Sequence, residues 1–285
     1  MSKRVWLITG CSTGFGRELV KVVAANGEVA IGTVRKNEQV ADLEKINPEF
    51  VKGIVLDVQK QDTIDEAANL INKEYGRVDV LVNNAGYGTL GAIEETSDEE
   101  ILRQFDVNVF GCVRMMKLVL PFMRKQRSGH ILNITSIAGL NGFPGVGIYN
   151  GSKFALEGIG EALAAETKHL GINVTNVEPG PFRTDWAGRS ATFNESKIED
   201  YNESANKNMD SIREVSGNQI GDPLKAVNAM YELTKLENPP VHLPLGGPAY
   251  KRVNIKLQEM KEELDQFEYL GRPTDYTAEE LEKMS

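Results

Sequence analysis

Short apolar runs alternate along this chain with longer stretches whose apolar positions recur at helical spacing. Val5-Trp6-Leu7-Ile8-Thr9, Val29 to Val34, Val51 to Val58 and Val78 to Val82 read as strands, continuous enough in Val, Ile and Leu to be buried on both faces of a parallel sheet. Ile131 to Ser136 is a further strand, and a long helix opens at Tyr149. Between the strands, Leu19, Val20, Val22 and Val23 mark a helix that stops at Asn26-Gly27; Ile64, Ala67, Ala68 and Ile71 mark another over residues 60–76, closed by Gly76. A third starts at Ser97, with Glu100 placed to complete a capping box, and carries Phe105, Val107, Val109, Met115, Met116, Leu118, Val119 and Leu120 before Pro121. Its apolar residues occupy more than one face, which predicts one face on the sheet and another open to a second subunit, in a homodimer or homotetramer. Asp222-Pro223 caps a helix from Leu224 to Leu236, and Val241 to Pro244 reads as a short edge strand. The alternation predicts a doubly wound α/β fold.

Composition narrows the partners. One such domain accommodates 285 residues, and 41% apolar with 26% charged residues is ordinary for a globular chain. A net charge of −9 argues against nucleic acid or an anionic membrane surface as the partner. A phosphate-bearing cofactor stays open, because local amides and one or two cations can hold it. Cys11 and Cys112 lie far apart with no CxxC, so reduced thiols in a cytoplasmic protein are expected. His130, His169 and His242 are scattered, and no metal site is read from them. No apolar run approaches the ~20 residues of a membrane helix. The first strand begins too early for a signal or transit peptide.

Chemistry gathers at the ends of the strands. Gly10-Cys11-Ser12-Thr13-Gly14-Phe15-Gly16 joins the first strand to a helix N-terminus, where free amides and the helix dipole attract phosphate and glycines let it approach. That frame predicts a Rossmann dinucleotide site. The second strand ends at Val34-Arg35-Lys36 without the carboxylate that binds ribose hydroxyls in NAD sites, and Arg35 suits a 2′-phosphate, so NADP is expected over NAD. Asp57, with Val58, closes the third strand, and Asn83-Asn84-Ala85-Gly86 the fourth, with amides able to tie strand ends together. Asn108 is an amide in apolar company, set either to brace its helix or to hold a water beside Lys153. Tyr149 and Lys153 stand four apart on one helix face, with Ser136 on the loop before them. A fixed ammonium beside a tyrosine favours the phenolate, and lowering its pKa by about three units asks for ~4 kcal/mol.

These residues spell TGxxxGxG (Thr9 to Gly16), NNAG (Asn83 to Gly86), a serine before YxxxK (Ser136, Tyr149, Lys153) and Pro179-Gly180-Pro181-Phe182-Arg183-Thr184 after the last long strand. The chain resembles the single-domain branch of the short-chain dehydrogenase/reductase family over roughly its first 245 residues. The resemblance implies a single Rossmann domain over residues 1–246, with a parallel sheet of about seven strands and helices on both faces. It implies that Asn108, Ser136, Tyr149 and Lys153 form a catalytic tetrad, with Tyr149 as proton donor or acceptor and Lys153 on the nicotinamide ribose. Gly10, Ser12, Thr13, Gly14, Phe15 and Gly16 would lie against the pyrophosphate, Arg35 at the 2′-phosphate, and Asp57 with Val58 at the adenine. Asn83, Asn84, Ala85 and Gly86 would support the ribose and the sheet; Pro179, Gly180 and Thr184 would hold the carboxamide, with Phe182 and Tyr149 also at the cofactor. Thr13 stands where many NADP-using relatives carry a basic residue, so the cofactor expectation rests on Arg35. Residues 185–220, polar and rich in Asn, Ser and Glu, would be the substrate lid.

Residues 247–285, charged and helical around Lys251 to Tyr269, extend the family core as a C-terminal helical segment. They resemble the tail of 17β-hydroxysteroid dehydrogenase-like members, which implies a bulky apolar alcohol or ketone. The expected activity is therefore NADP(H)-dependent hydride transfer between an alcohol and a ketone or aldehyde. The alternatives are a non-catalytic NADP(H) sensor, against which the intact tetrad argues, and an NAD-dependent enzyme of the same family. A nucleotide-sugar epimerase or dehydratase shares YxxxK but fits the glycine spacing poorly.

Overall fold

The computed structural model describes residues 3–284; residues 1, 2 and 285, where the expected segments begin and end, lie outside it. In chain order the elements are β1 (Val5–Ile8), α1 (Gly14–Ala25), β2 (Val29–Val34), α2 (Glu38–Glu44), β3 (Val51–Val55), α3 (Gln61–Glu74), β4 (Val80–Asn83) and β5 (Gly88–Leu90). Then come α4 (Asp98–Phe105), α5 (Gly111–Gln126), β6 (Gly129–Ile134), α6 (Gly147–Thr167), β7 (Ile172–Pro179), α7 (Trp186–Arg189) and β8 (Ala191–Phe193). α8 (Lys207–Glu214), α9 (Pro223–Leu233), β9 (His242–Leu245), α10 (Gly247–Gly271) and α11 (Ala278–Met284) complete the chain.

Seven strands form one sheet in the order β3-β2-β1-β4-β6-β7-β9, every pair parallel. This is the expected doubly wound Rossmann domain. Because side chains alternate along a strand, Trp6 and Ile8 of β1 pack with Leu19, Val23, Val227 and Met230 of α1 and α9 on one face. Val5 and Leu7 pack with Ile64, Ile71, Met115 and Leu156 of α3, α5 and α6 on the other. The order reverses between β1 and β4, the switch point where open α/β sheets bind ligands beyond their strand ends.

Several local expectations change. β3 ends at Val55 rather than Val58, which leaves Asp57 on the loop beyond it. The Ser97 hydroxyl accepts the Glu100 amide at 3.3 Å, but the Glu100 carboxylate reaches Thr89 and Arg103 instead, so the capping box closes on one side only. The helix begun at Ser97 is interrupted by a π turn, Asp106–Phe110, in which the Gly111 amide bonds back to the Asp106 carbonyl. α5 then runs through Pro121 to Gln126, because Pro121 is exposed while Leu118, Val119 and Met123 hold the helix on the sheet. Met115, Met116, Leu118 and Val119 are all buried within the domain, while Leu102 and Phe110 are left exposed. Asp222 caps α9 as expected, accepting the Leu224 and Lys225 amides. Among the described residues, no helix is long and apolar enough to cross a membrane.

Candidate active site

The glycine turn after β1 is built for close approach. Gly10 has φ +71°, and a Cβ there would lie 2.9 Å from the Ala85 Cα, so any other residue would push the turn off the β4 end. The Asn84 side chain donates to the Thr9 and Gly10 carbonyls at 2.8 and 3.1 Å, while the Thr9 hydroxyl accepts the Asn84 and Ala85 amides, both at 2.9 Å. The amides thus tie β4 to β1. Gly10, Ser12, Thr13, Gly14 and Phe15 face the large cavity at the switch point. Gly16 does not, contrary to expectation. It lies buried behind the turn, where a Cβ would meet Asn84 Nδ2 and the Gly10 carbonyl, both at 2.6 Å; its role is helix–strand packing.

The cavity, about 600 Å³, continues from the turn past Val34, Arg35, Asp57, Val58, Asn84, Ala85 and Gly86 to Ser136, Tyr149 and Lys153. Pro179, Gly180, Phe182 and Thr184 close it from the β7 end. Arg35 is exposed on its rim and makes no ion pair among the described residues; its neighbour Lys36 faces Glu38 at 3.7 Å. Asp57 Oδ1 accepts the Gln59 amide at 3.1 Å, and Phe182 sets its ring edge-on to Phe15 with centroids 5.4 Å apart.

Tyr149 and Lys153 rise from α6 into this cavity and are almost fully buried. Lys153 Nζ donates to the Ile134 carbonyl at 2.8 Å and lies 5.7 Å from the Tyr149 ring centroid. The Ser136 hydroxyl accepts the Ala138 amide at 3.0 Å, which fixes it at the start of the loop after β6. Burial pushes the Tyr149 hydroxyl up to about 12, opposed by its hydrogen bond with Ser136, and burial likewise lowers Lys153. The expected lowering of Tyr149 by Lys153 is therefore not seen, and burial is the largest effect on its hydroxyl. Asn108, in the π turn, stands behind the cavity wall. Its amide donates to the Tyr87 carbonyl at 2.8 Å and Ser152 Oγ at 3.1 Å, and its oxygen accepts the Tyr87 amide at 3.1 Å, so the side chain braces β5 against α6.

Phe143, Val146, Trp186, Ile212 and Val215 line the outer wall, together with Tyr87, Arg103, Arg189 and Gln219. Five of these outer-wall residues, Trp186, Arg189, Ile212, Val215 and Gln219, fall within the lid expected over 185–220, whereas Tyr87, Arg103, Phe143 and Val146 were not singled out as wall residues in the sequence. The Trp186 and Tyr149 ring centroids are 5.3 Å apart, and a Cβ on Gly88 would strike the Trp186 ring at 2.5 Å. The lid region is held as small elements rather than loose polar chain: β8 pairs in parallel with β5, and Glu95 accepts the Lys197 and Ile198 amides at 2.6 and 2.8 Å.

The model of the short chain dehydrogenase family matches residues 4–195. The chain belongs to that family. This short-chain dehydrogenase is 38% identical over 247 residues to a 3-ketodihydrosphingosine reductase of Bacteroides thetaiotaomicron, covering 86% of this chain and 89% of that one. Among solved structures it is similar to a short-chain dehydrogenase from Streptomyces avermitilis, with 40% identity, TM-score 0.90, and 96% and 99% of the two chains covered. ElxO with NADP bound is 29% identical with TM-score 0.73, covering 88% of this chain and all of that one (100%). A Burkholderia phymatum member in complex with NAD, 22% identical with TM-score 0.81 and covering 97% and 98%, shares the fold.

Behind the site of this short-chain dehydrogenase runs a buried asparagine ladder. Asn83 donates to Asn133, and Asn133 to Asn176, each at 3.0 Å, because the sheet register sets the three side by side. Asn176 then donates to the Glu157 carbonyl at 3.0 Å, fixing α6 one turn beyond Lys153. Beside it the structure gathers Glu157, Glu178 and His242, with His242 Nδ1 at 2.8 Å from Glu178 and 3.5 Å from Glu157. The sequence read the histidines as scattered; His242 joins these carboxylates only through the β7–β9 pairing. Burial pushes Glu157 up to about 7 and Glu178 up to about 8, so protons can keep the pair neutral without an ion.

A carboxyl raised on folding stabilises fully below its unfolded value of about 4.3 and loses that contribution as pH rises through its folded value. Thermal unfolding is therefore expected to show a midpoint that falls as pH rises toward about 8, with a shallower fall in Glu178→Gln. An identical slope in that variant would mean that Glu178 is ionised throughout.

Proposed function

We propose that this chain is an NADP(H)-dependent oxidoreductase that interconverts an alcohol with a ketone or aldehyde. The observation that carries the reading is the convergence of Ser136, Tyr149 and Lys153 on the cavity that also holds the glycine turn. The residues present fit the cofactor: a strand–glycine–helix turn suits a pyrophosphate, and Arg35 on the rim, with no ion pair among the described residues, suits a 2′-phosphate; the similar ElxO binds NADP. NADPH held in this cavity would supply the hydride for carbonyl reduction. Ser136 and Tyr149 then hold the substrate oxygen, and Tyr149 gives it the proton. A hydroxyl raised to about 12 starts protonated at neutral pH, as a donor in the reductive direction requires. Lys153 orients the nicotinamide ribose, and Asn108 keeps α6 and β5 in register beneath it.

The aromatic and aliphatic wall of Phe143, Val146, Trp186, Ile212 and Val215 favours a bulky apolar substrate, and the 3-ketodihydrosphingosine reductase of Bacteroides thetaiotaomicron is named for one with a long chain. A cytoplasmic setting accords with two buried, unpaired thiols. The test is NADPH consumption across a panel of small, aromatic and long-chain ketones, with consumption expected only for the larger members. No turnover of any carbonyl despite tight dinucleotide binding would support a sensor instead. Arg35→Ala is expected to weaken NADPH roughly 10- to 100-fold, the range of a charge-assisted contact of about 1.5–3 kcal/mol, and to leave NADH nearly unchanged. Equal losses for the two would return Arg35 to the solvated rim.

A further inference from the structure

We propose that α10 is a self-association surface on which two copies of this chain pair antiparallel. The observation is a helix that leaves its own domain. Ala249 at its root is buried, yet from Leu257 to Gly271 every residue is exposed. A helical stretch of that length surrounded by water is marginal on its own. Six of its apolar residues form one stripe, while Ile255, Tyr269 and Leu270 lie off it. Tyr250, Val253, Leu257, Met260, Leu264 and Phe267 follow one another at alternating steps of three and four, the spacing of a coiled-coil seam. Leu257 and Leu264, at the centre of the stripe, are 61% and 70% exposed.

The stripe matches itself in one register. In an antiparallel pair with a two-fold axis, Leu257 meets Met260 of the second copy, Val253 meets Leu264, and Tyr250 meets Phe267. All three kinds of layer fill at once over about 26 Å of helix.

The flanking charges choose the direction. Lys256 and Glu263 lie at the positions beside the seam that face each other across an antiparallel pair, so each copy's lysine meets the other's glutamate, twice by symmetry. Neither has an ion-pair partner among the described residues, whereas neighbouring charges are engaged: Arg252 with Glu259 at 3.8 Å and Lys261 with Asp265 at 2.8 Å. A parallel pair would instead set Lys256 against Lys261 and Glu263 against Glu268. Antiparallel pairing also carries the free end of each α10 to the root of the other, leaving the two domains at opposite ends. The association does not depend on which cofactor or substrate the cavity takes.

The test is the mass of the full chain by light scattering and sedimentation over micromolar concentrations. The wild type is expected to be dimeric, and Leu257→Glu with Leu264→Glu to be monomeric with unaltered NADPH binding and thermal midpoint. Lys256→Glu turns two attractions into repulsions and is expected to weaken the dimer about tenfold; adding Glu263→Lys restores it. A monomeric wild type would overturn the proposal. So would a dimer indifferent to the Leu257/Leu264 pair, which would place the interface elsewhere, or one tightened by Lys256→Glu, which would indicate parallel helices.

Discussion

Tyr149→Phe is expected to lower turnover by roughly 10²–10⁴-fold, the contribution typical of a positioned acid or base. The change removes one hydroxyl and keeps the ring against Trp186, so the cavity wall and its 5.3 Å ring contact persist. NADPH affinity should hardly move, because the glycine turn and Arg35 lie at the other end of the cavity. The loss should therefore appear in kcat with cofactor binding intact, the pattern of an interaction made in the transition state. Steady-state kinetics beside cofactor titration reads both quantities. Turnover near the wild-type rate would remove Tyr149 from the proton step and leave Ser136 or a water to carry it.

Gly160→Ala is expected to be the most damaging single methyl in α6. A Cβ there would stand 2.0 Å from Asn176 Oδ1 and 2.7 Å from its Nδ2, inside the asparagine ladder. Relief requires α6 to shift or Asn176 to abandon Asn133 and the Glu157 carbonyl, both buried. Overpacking costs about 1–3 kcal/mol, and each buried polar group left unpaired about 1–3 more. The sum, on the order of 3–5 kcal/mol, is a large share of the ~5–15 kcal/mol that holds a typical domain folded. Gly158→Ala is the control: it lies on the same helix, exposed, with open space where its Cβ would be, and should be neutral or stabilising by up to ~1 kcal/mol. Chemical denaturation of the three proteins measures the difference. Equal stability for both variants would show that α6 slides over β7 without cost and that the ladder does not fix Lys153.

The frame of this fold was legible because parallel strands buried on both faces write themselves as apolar runs. Val29–Val34 is bounded in the structure as its composition predicts, and Asn26-Gly27 ends α1 where the left-handed Gly27 turns the chain. Residues that act through local geometry were legible too: the glycine turn needs its neighbours, and Tyr149 and Lys153 share a helix face. What escaped depends on register between distant segments. Asn133 and Asn176 look like polar interruptions of strands until β6 and β7 align them with Asn83. His242 gains meaning only beside Glu157 and Glu178. β5 and β8 are three residues each and are strands because they pair with one another, not because either stretch favours extension by itself. The helix after Ser97 divides its apolar residues in a way periodicity did not show, with Met115, Met116, Leu118 and Val119 inside the domain and Leu102 and Phe110 exposed. Tyr149 shows the limit for chemistry: adjacency to Lys153 was readable, but the burial that sets its proton affinity was not.

Titration of the purified protein with NADPH and with NADH, followed by nicotinamide fluorescence, tests the proposed oxidoreductase at its cofactor. Saturable, tight binding of NADPH and much weaker binding of NADH are expected, with Arg35→Ala erasing the difference. Preference for NADH would contradict the assignment of Arg35 and the end of β2, and binding of neither would contradict the oxidoreductase itself.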